Sequence, residues 1–156
     1  MMKSLDEVFN NAKCFEDTLR AAHVKLNYLR MTGNCLGEAF SYGFQILEHL
    51  GETFPAAPDI GMVVKEMLDT KQLLTGSLNA SALNSLPELT NSKKKEAMAF
   101  LEEILICSYQ SQSIHFFLIA CRMIHITLQY GMSKYSSMGT LSQLVSSSFH
   151  HFFFTQ

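Results

Sequence analysis

The segment Ser113–Tyr130 constrains this chain more than any other. From His115 onward its polar positions are His115, Arg122, His125, Thr127 and Gln129, and every other side chain is apolar. On a helix, His115, Arg122 and Gln129 recur every seven residues and form one narrow line, with His125 beside it. A helix that is apolar around nearly its whole circumference is buried on several sides, so this one needs further layers against it. The preceding segment, Ser92–Tyr109, reads differently. Ala97, Phe100, Leu101, Ile104, Leu105 and Ser108 share one broad face, while Lys93, Lys94, Lys95, Glu96, Glu102 and Glu103 lie mostly off it. That pattern predicts an outer helix packed on an inner one. Gln110-Ser111-Gln112 leaves room only for a reversal, so the two helices are expected as antiparallel neighbours.

The rest of the chain also reads as helix. Ser4 and Glu7 fit a capping box. Leu5, Val8, Phe9 and Ala12 begin an apolar face that Phe15, Leu19, Ala22, Leu26 and Leu29 continue to Met31. Periodicity leaves open a break near Lys13–Asp17. Thr32-Gly33-Asn34 supplies a left-handed stop. A further helix is expected over Leu36–Leu50, closed by Gly51. It carries Gly37, Ala39 and Gly43, and close helix approach is the expected compensation for glycines that cost about 1 kcal/mol each inside a helix. After the rigid Phe54–Pro58 connector, Pro58 suits the first position of a helix and Asp59 its first turn. That helix is expected to stop at Thr75-Gly76. Asn79–Leu86 reads as a short helix or turn, and Ser133–Val145 as the last helix. No segment alternates in the manner of a strand. The run Phe149–Phe154, behind three serines, is the only β-like stretch.

Composition excludes more than it selects. The chain's 156 residues are enough for one domain with a real core. A net charge of -2 gives no global field for nucleic acid or an anionic membrane. Lys93–Lys95, the only basic cluster, reads as a solvated helix start. Cys14, Cys35, Cys107 and Cys121 form no CxxC and no regular spacing, which fits free buried thiols in a reducing, cytoplasmic setting. Ile114–Leu128 falls short of the roughly 20 apolar residues of a membrane span and contains Arg122 and two histidines, so no stable membrane insertion is expected.

Two stretches carry a resemblance. Leu26–Leu50 with its flanks, KLNYLRMTGNCLGEAFSYGFQILEHLG, sets a helix, a Gly-Asn turn and a second helix opening with Glu38-Ala39 and closing with Leu50-Gly51. It resembles a degenerate tetratricopeptide repeat. More widely, Leu47–Gly51, Phe54-Pro55, Leu73–Gly76, Leu83–Thr90, Lys95–Tyr109, Leu128–Gly131 and Lys134–Ser136 follow in an order similar to the helical-repeat region of large hybrid signalling proteins. There an AAA-like (STAND-type) predicted ATPase follows a serine/threonine kinase domain, the helical region comes next, and a GAF sensor and a histidine kinase or cyclase module often follow. The pair LNSLPELT and YGMSKYS carries most of this likeness. The resemblance implies an all-α, tetratricopeptide-like stack of antiparallel helix pairs, about six or seven helices in a partial solenoid. It implies one helical-repeat domain over residues 1–145 and an aromatic tail over 146–156. The implied role is regulatory or protein-interacting, in a fragment or truncated paralogue of an ATPase/kinase-type signal-transduction protein. Its partners are then other proteins or flanking domains of the same signalling protein, with self-association through exposed repeat ends. No phosphate-binding loop and no kinase signature is present, so no enzyme activity is expected, and the family pattern fades after about Leu141.

The remaining candidate chemistry is thin. Cys121 and His125 share a helix face, but two ligands make no zinc site; they read as a core cysteine and a boundary histidine. His150-His151 reads as tail. The cysteines, set among apolar neighbours, lack the electropositive surroundings of a nucleophile. Glu102 and Glu103 read as a solvated face. No catalytic, cofactor-binding or metal residue is expected. The line His115, Arg122, His125 and Gln129 is the candidate partner-contact surface, a polar edge on an otherwise buried helix. The alternatives are a free-standing small helical adaptor and a Cys/His metal-binding protein.

Overall fold

A computed structural model describes residues 7, 9–32, 36–77 and 85–136. Their architecture is all-α. Five helices carry it: α1 (Phe15–Met31), α2 (Leu36–His49), α3 (Ile60–Ser77), α4 (Ser92–Gln110) and α5 (His115–Tyr130). Residues 7 and 9–11 are helical too, and the chain breaks at 12–14 before α1 begins. The expected break therefore lies just ahead of Phe15, where Asp17 reaches back to accept the Lys13 N–H at 3.3 Å.

The helices pack in one connected order. α1 pairs with α2, and both pack on α4; α4 packs along α5, and α3 packs on the far side of α5. One apolar cluster runs through all of them, from Leu26 and Leu47 through Phe100 and Ile104 to Ile119, Met123 and Met67. α5 is thus buried on two sides, as its composition requires. α4 departs from the expectation of an outer helix. It is the central one, with Ala97 to Leu101, Ile104, Cys107 and Ser108 all buried. Two of its charges, Lys94 and Glu103, are met by other chain segments instead of water.

Gly43 explains how α2 comes so close to α4. A Cβ there would lie 2.5 Å from Ile104 Cδ1, so the fully buried isoleucine occupies the space that any side chain would need. Gly37 has nothing within 4 Å and serves no such approach.

Two helix ends share one stop. At the end of α2, Glu52 N–H donates to Leu47 O (2.8 Å) and Gly51 N–H to Glu48 O (2.9 Å), with Gly51 at φ +84°. This is the paired 6→1 and 5→2 pattern of a Schellman stop. α4 ends in the same way, with Ser113 N–H to Ser108 O and Gln112 N–H to Tyr109 O. Here the left-handed residue is Gln112, at φ +51°, so no glycine announces the reversal into α5.

Several expected boundaries are corrected. Pro58 is not in a helix, and Asp59 is a cap instead of a first-turn residue. Its carboxylate accepts the Met62 N–H at 2.8 Å, which satisfies an amide that α3 leaves orphaned. α3 runs through Thr75-Gly76 to Ser77. No helix begins at Ser133: residues 133–136 form a turn closed by Ser136 N–H to Ser133 O at 3.0 Å. The Ser4 cap, the Asn79–Asn84 stretch, Cys35, residues 137–145 and the 146–156 tail lie outside the described residues.

The two runs that carry the resemblance meet in space. Met132 N–H donates to Pro87 O and Leu89 N–H to Met132 O, both at 2.7 Å, forming a single parallel bridge between Glu88 and Met132. Gly131 makes this possible. Its φ is +110°, and a Cβ there would sit 2.4 Å from Pro87 O. Beneath the bridge, the Thr127 and Ser136 hydroxyls hydrogen-bond to each other at 2.7 Å, and both residues are buried.

Candidate functional site

The line His115, Arg122, His125 and Gln129 runs down α5, and three of its members are engaged with other parts of the chain. His115 lies against Phe44, with ring centroids 5.1 Å apart, and its Nε2–H donates to Pro55 O at 2.9 Å. It pins the α2–α3 connector and borders a hollow of about 430 Å³ with Phe44, Phe54 and Pro55. Arg122 donates to Glu52 Oε2 at 2.7 Å, and its guanidinium lies 5.4 Å from the Phe54 ring centroid. His125 Nε2–H donates to Thr70 Oγ1 at 2.9 Å. Thr70 spends its own hydroxyl hydrogen on Glu66 O at 2.7 Å, so the imidazole must be the donor and the proton sits on Nε2. Burial holds the His125 pKa below its ordinary value, aided by the Arg122 charge, against the pull of Glu66. Gln129 is exposed.

Glu52, which no local motif singles out, is the hub of a three-way ion pair. Its side chain is 3% exposed. One carboxylate oxygen takes Arg122, and the other takes Lys94 from the start of α4. Lys94 also lies 5.3 Å from the Tyr130 ring centroid. The Lys93–Lys95 run is therefore not uniformly a solvated start, because its middle member is largely buried against Glu52. The Schellman stop explains the placement: it turns the residue after Gly51 back toward the α4–α5 layer.

A second polar cluster joins α1 to α4. His23 Nδ1–H donates to Glu103 Oε1 at 2.8 Å, while Nε2 lies 3.5 Å from Glu96 Oε2. The imidazole stacks on Phe100, with centroids 3.7 Å apart and planes 16° off parallel. Asn27 adds a longer contact to Glu103 at 3.4 Å. Burial opposes charge on His23, but the hydrogen bonds and charges of Glu103 and Glu96 outweigh it and raise the pKa above the ordinary histidine value. Glu103 is thus no solvated-face residue, although its neighbour Glu102 is exposed.

Beside His23 opens a cleft of about 700 Å³. α1 contributes Glu16, Leu19 and Arg20 to it, and α4 contributes Lys95, Glu96 and Ala99. The bridged runs close the remaining side with Glu88, Leu89 and Met132 to Tyr135. None of these residues belongs to the expected line on α5. They come from three separated segments, so no local spacing could reveal them.

The thiols offer little chemistry. Cys107 and Cys121 are buried, and burial raises both pKa values, that of Cys121 to about 11. Cys14 departs from the apolar setting expected of it and is exposed at the break before α1. Among the described residues, no three of His, Cys, Asp and Glu converge in a way that could hold a metal ion, and no helix is long and apolar enough to cross a membrane.

No family model, no curated protein and no solved structure matches this chain.

Proposed function

We propose that this chain is a non-catalytic, tetratricopeptide-like helical-repeat segment, a regulatory and protein-interaction element of a multidomain ATPase/kinase-type signalling protein. One observation carries the reading. α1–α2 and α4–α5 are helical pairs with α3 between them in the chain, and α4 packs against both helices of the first pair as well as against its own partner. That neighbour relation is the repeating unit of stacked helical hairpins, in which each pair covers the apolar face of the last. α3 is then an inserted helix lying over α5. The likeness of LNSLPELT and YGMSKYS to the helical region of hybrid signalling proteins supports the wider assignment, and the two runs are bonded to each other.

Stacks of this kind work as cytoplasmic scaffolds and leave their end faces for neighbouring modules or proteins. The exposed Ile60, Met62, Leu68 and Leu73 on α3 fit such an end face, and self-association is the expected behaviour of the isolated chain. The test is the sequence of the full transcript. A phosphate-binding loop of the GxxxxGK[ST] type upstream in the same frame, with a sensor or kinase module downstream, supports the multidomain reading. A transcript that encodes neither overturns it in favour of a free-standing adaptor.

A further inference from the structure

We propose that one flank of α3 is a self-recognition surface, on which α3 of a second copy of this chain docks antiparallel to the first. The proposal deepens the self-association expected above and rests on it, and it fixes the face and the register. On this flank Ile60, Val64 and Leu68 recur every four residues and form one apolar strip. Ile60 is 52% exposed and Leu68 44%, with Val64 partly exposed between them. Gly61 adjoins the strip, and a Cβ there would meet only Asp59 Oδ1, at 3.1 Å. The glycine leaves bare backbone beside the strip, which lets another helix approach closely. The opposite flank differs: Glu66 and Asp69 lie between Met62 and Leu73, so charge interrupts its apolar groups.

Charge selects the occupant. The strip carries one charge at each end, and the signs differ. Asp59 holds its carboxylate beside Gly61 at the N-terminal end, and Lys71 lies about one turn beyond Leu68. Both are exposed, and neither forms an ion pair with another described residue. A second copy presents the same groups in the same order. Laid antiparallel about a two-fold axis at Val64, it sets Ile60 against Leu68 of the second copy and Leu68 against Ile60 of the second copy. The same operation brings Asp59 opposite Lys71 at both ends. Their offset is two residues, about 3 Å along the axis, which the lysine stem spans. A parallel pair would instead set like charges side by side, so the antiparallel register is the one that the charges permit.

A contact between two single helices lies at the small end of interface sizes, below about 1,200 Å², so a reversible dimer is expected. Sedimentation velocity of the full chain should show monomer giving way to dimer between about 1 μM and about 1 mM. Lys71→Glu should weaken the dimer about tenfold, since a two-fold contact changes both charge pairs at once. Asp59→Asn keeps a good helix cap and removes the acid. In that background Lys71→Glu should have a much smaller effect, the signature of a direct pair. Val64→Cys should cross-link to its own counterpart on mild oxidation, as located by mass spectrometry, whereas Gln72→Cys, off the strip, should not. A monomer over the whole range overturns the proposal, and so does a Lys71→Glu effect that is undiminished beside Asp59→Asn. A monomer whose Ile60 and Leu68 methyl groups are shielded from a soluble paramagnetic probe also overturns it, and assigns the strip to another segment of the same chain. A dimer indifferent to Lys71→Glu, with no cross-link at position 64, overturns it while keeping self-association through another face.

Discussion

His23 and His125 are both part-buried, both beside glutamates, and both at a helix seam, yet their pKa values move in opposite directions. At the α1–α4 seam, His23 has Glu103 in hydrogen-bond contact at 2.8 Å and Glu96 at 3.5 Å. At the α3–α5 seam, His125 faces one glutamate, Glu66, at 3.6 Å, and gives its hydrogen bond to the neutral Thr70 hydroxyl. Burial works against charge at both places. What decides the sign is whether a carboxylate accepts directly from the ring. Arg122 widens the difference, because its charge further disfavours protonation of His125.

The largest expected effect comes from the ion pair that holds Arg122 itself. Glu52→Ala removes the acid between Lys94 and Arg122. Breaking a buried pair costs about 3–5 kcal/mol, and the lower end applies because both cations can still reach water. A melting point lower by roughly 6–12 °C follows for a chain of this size. The substitution also sharpens the contrast between the histidines. Freed of its counter-charge, Arg122 should push the His125 titration further down, while His23 stays where it is. NMR titration of the two imidazoles checks both halves, and a rise at His125 breaks the electrostatic account.

Thr70→Val comes next. Thr70 is fully buried, and its hydroxyl accepts the His125 proton. Valine keeps the shape and leaves the N–H of the part-buried His125 without its acceptor, which costs toward the lower end of about 1–3 kcal/mol. Chemical denaturation measures it. A loss much below this range would mean that His125 rotates to another partner, and that the α3–α5 seam is looser than the geometry says.

How legible this was from sequence depends on whether the determinant is local. The apolar run of α5 announces its own burial at helical period, and Gly51, expected to close α2, stands at a real left-handed position. The reversal at Gln112 carries no such mark, since glutamine stands where glycine is usual. α4 differs from its expected outer place for a deeper reason. Lys94 and Glu103 look like ordinary helix-surface charges, because their partners Glu52 and His23 lie 42 and 80 residues away. Amphipathic pattern assigns every charge to water, so a helix whose charges are neutralised by other segments is read as peripheral when it is central. The cleft was invisible on the same grounds. The line on α5 was found because a helix writes it at a spacing of seven, although His115, Arg122 and His125 are bonded to other parts of the chain.

Glu103→Gln breaks the comparison at its other end. The amide still fills the space beside His23 but carries no charge. His23 then meets burial with only the more distant Glu96, and its titration should fall from above the ordinary histidine value toward the behaviour of His125. A stability loss of about 1–2 kcal/mol is expected, the scale of a charge-assisted hydrogen bond that stays partly hydrated. A His23 titration that does not move would assign the shift to Glu96 or to the Phe100 stack.

The smallest effects are the most discriminating, because they differ in sign. His23 has a raised folded-state pKa, so its stabilising contribution is complete below the unfolded histidine value of about 6.5 and fades as pH rises through the folded value. His125 has a lowered one. Its contribution is present above about 6.5 and is lost as pH falls through the folded value, where the part-buried ring must take up a proton. His23→Gln should therefore cost more at about pH 5.5 than at about pH 8.5, by something near 1 kcal/mol for a partly exposed pair. His125→Gln should show the reverse trend over the same interval. Measured side by side, the two variants test one physical claim, that direct acceptance by a carboxylate outweighs burial and a glutamate beyond hydrogen-bond reach does not. Parallel pH trends in the two variants would sink it.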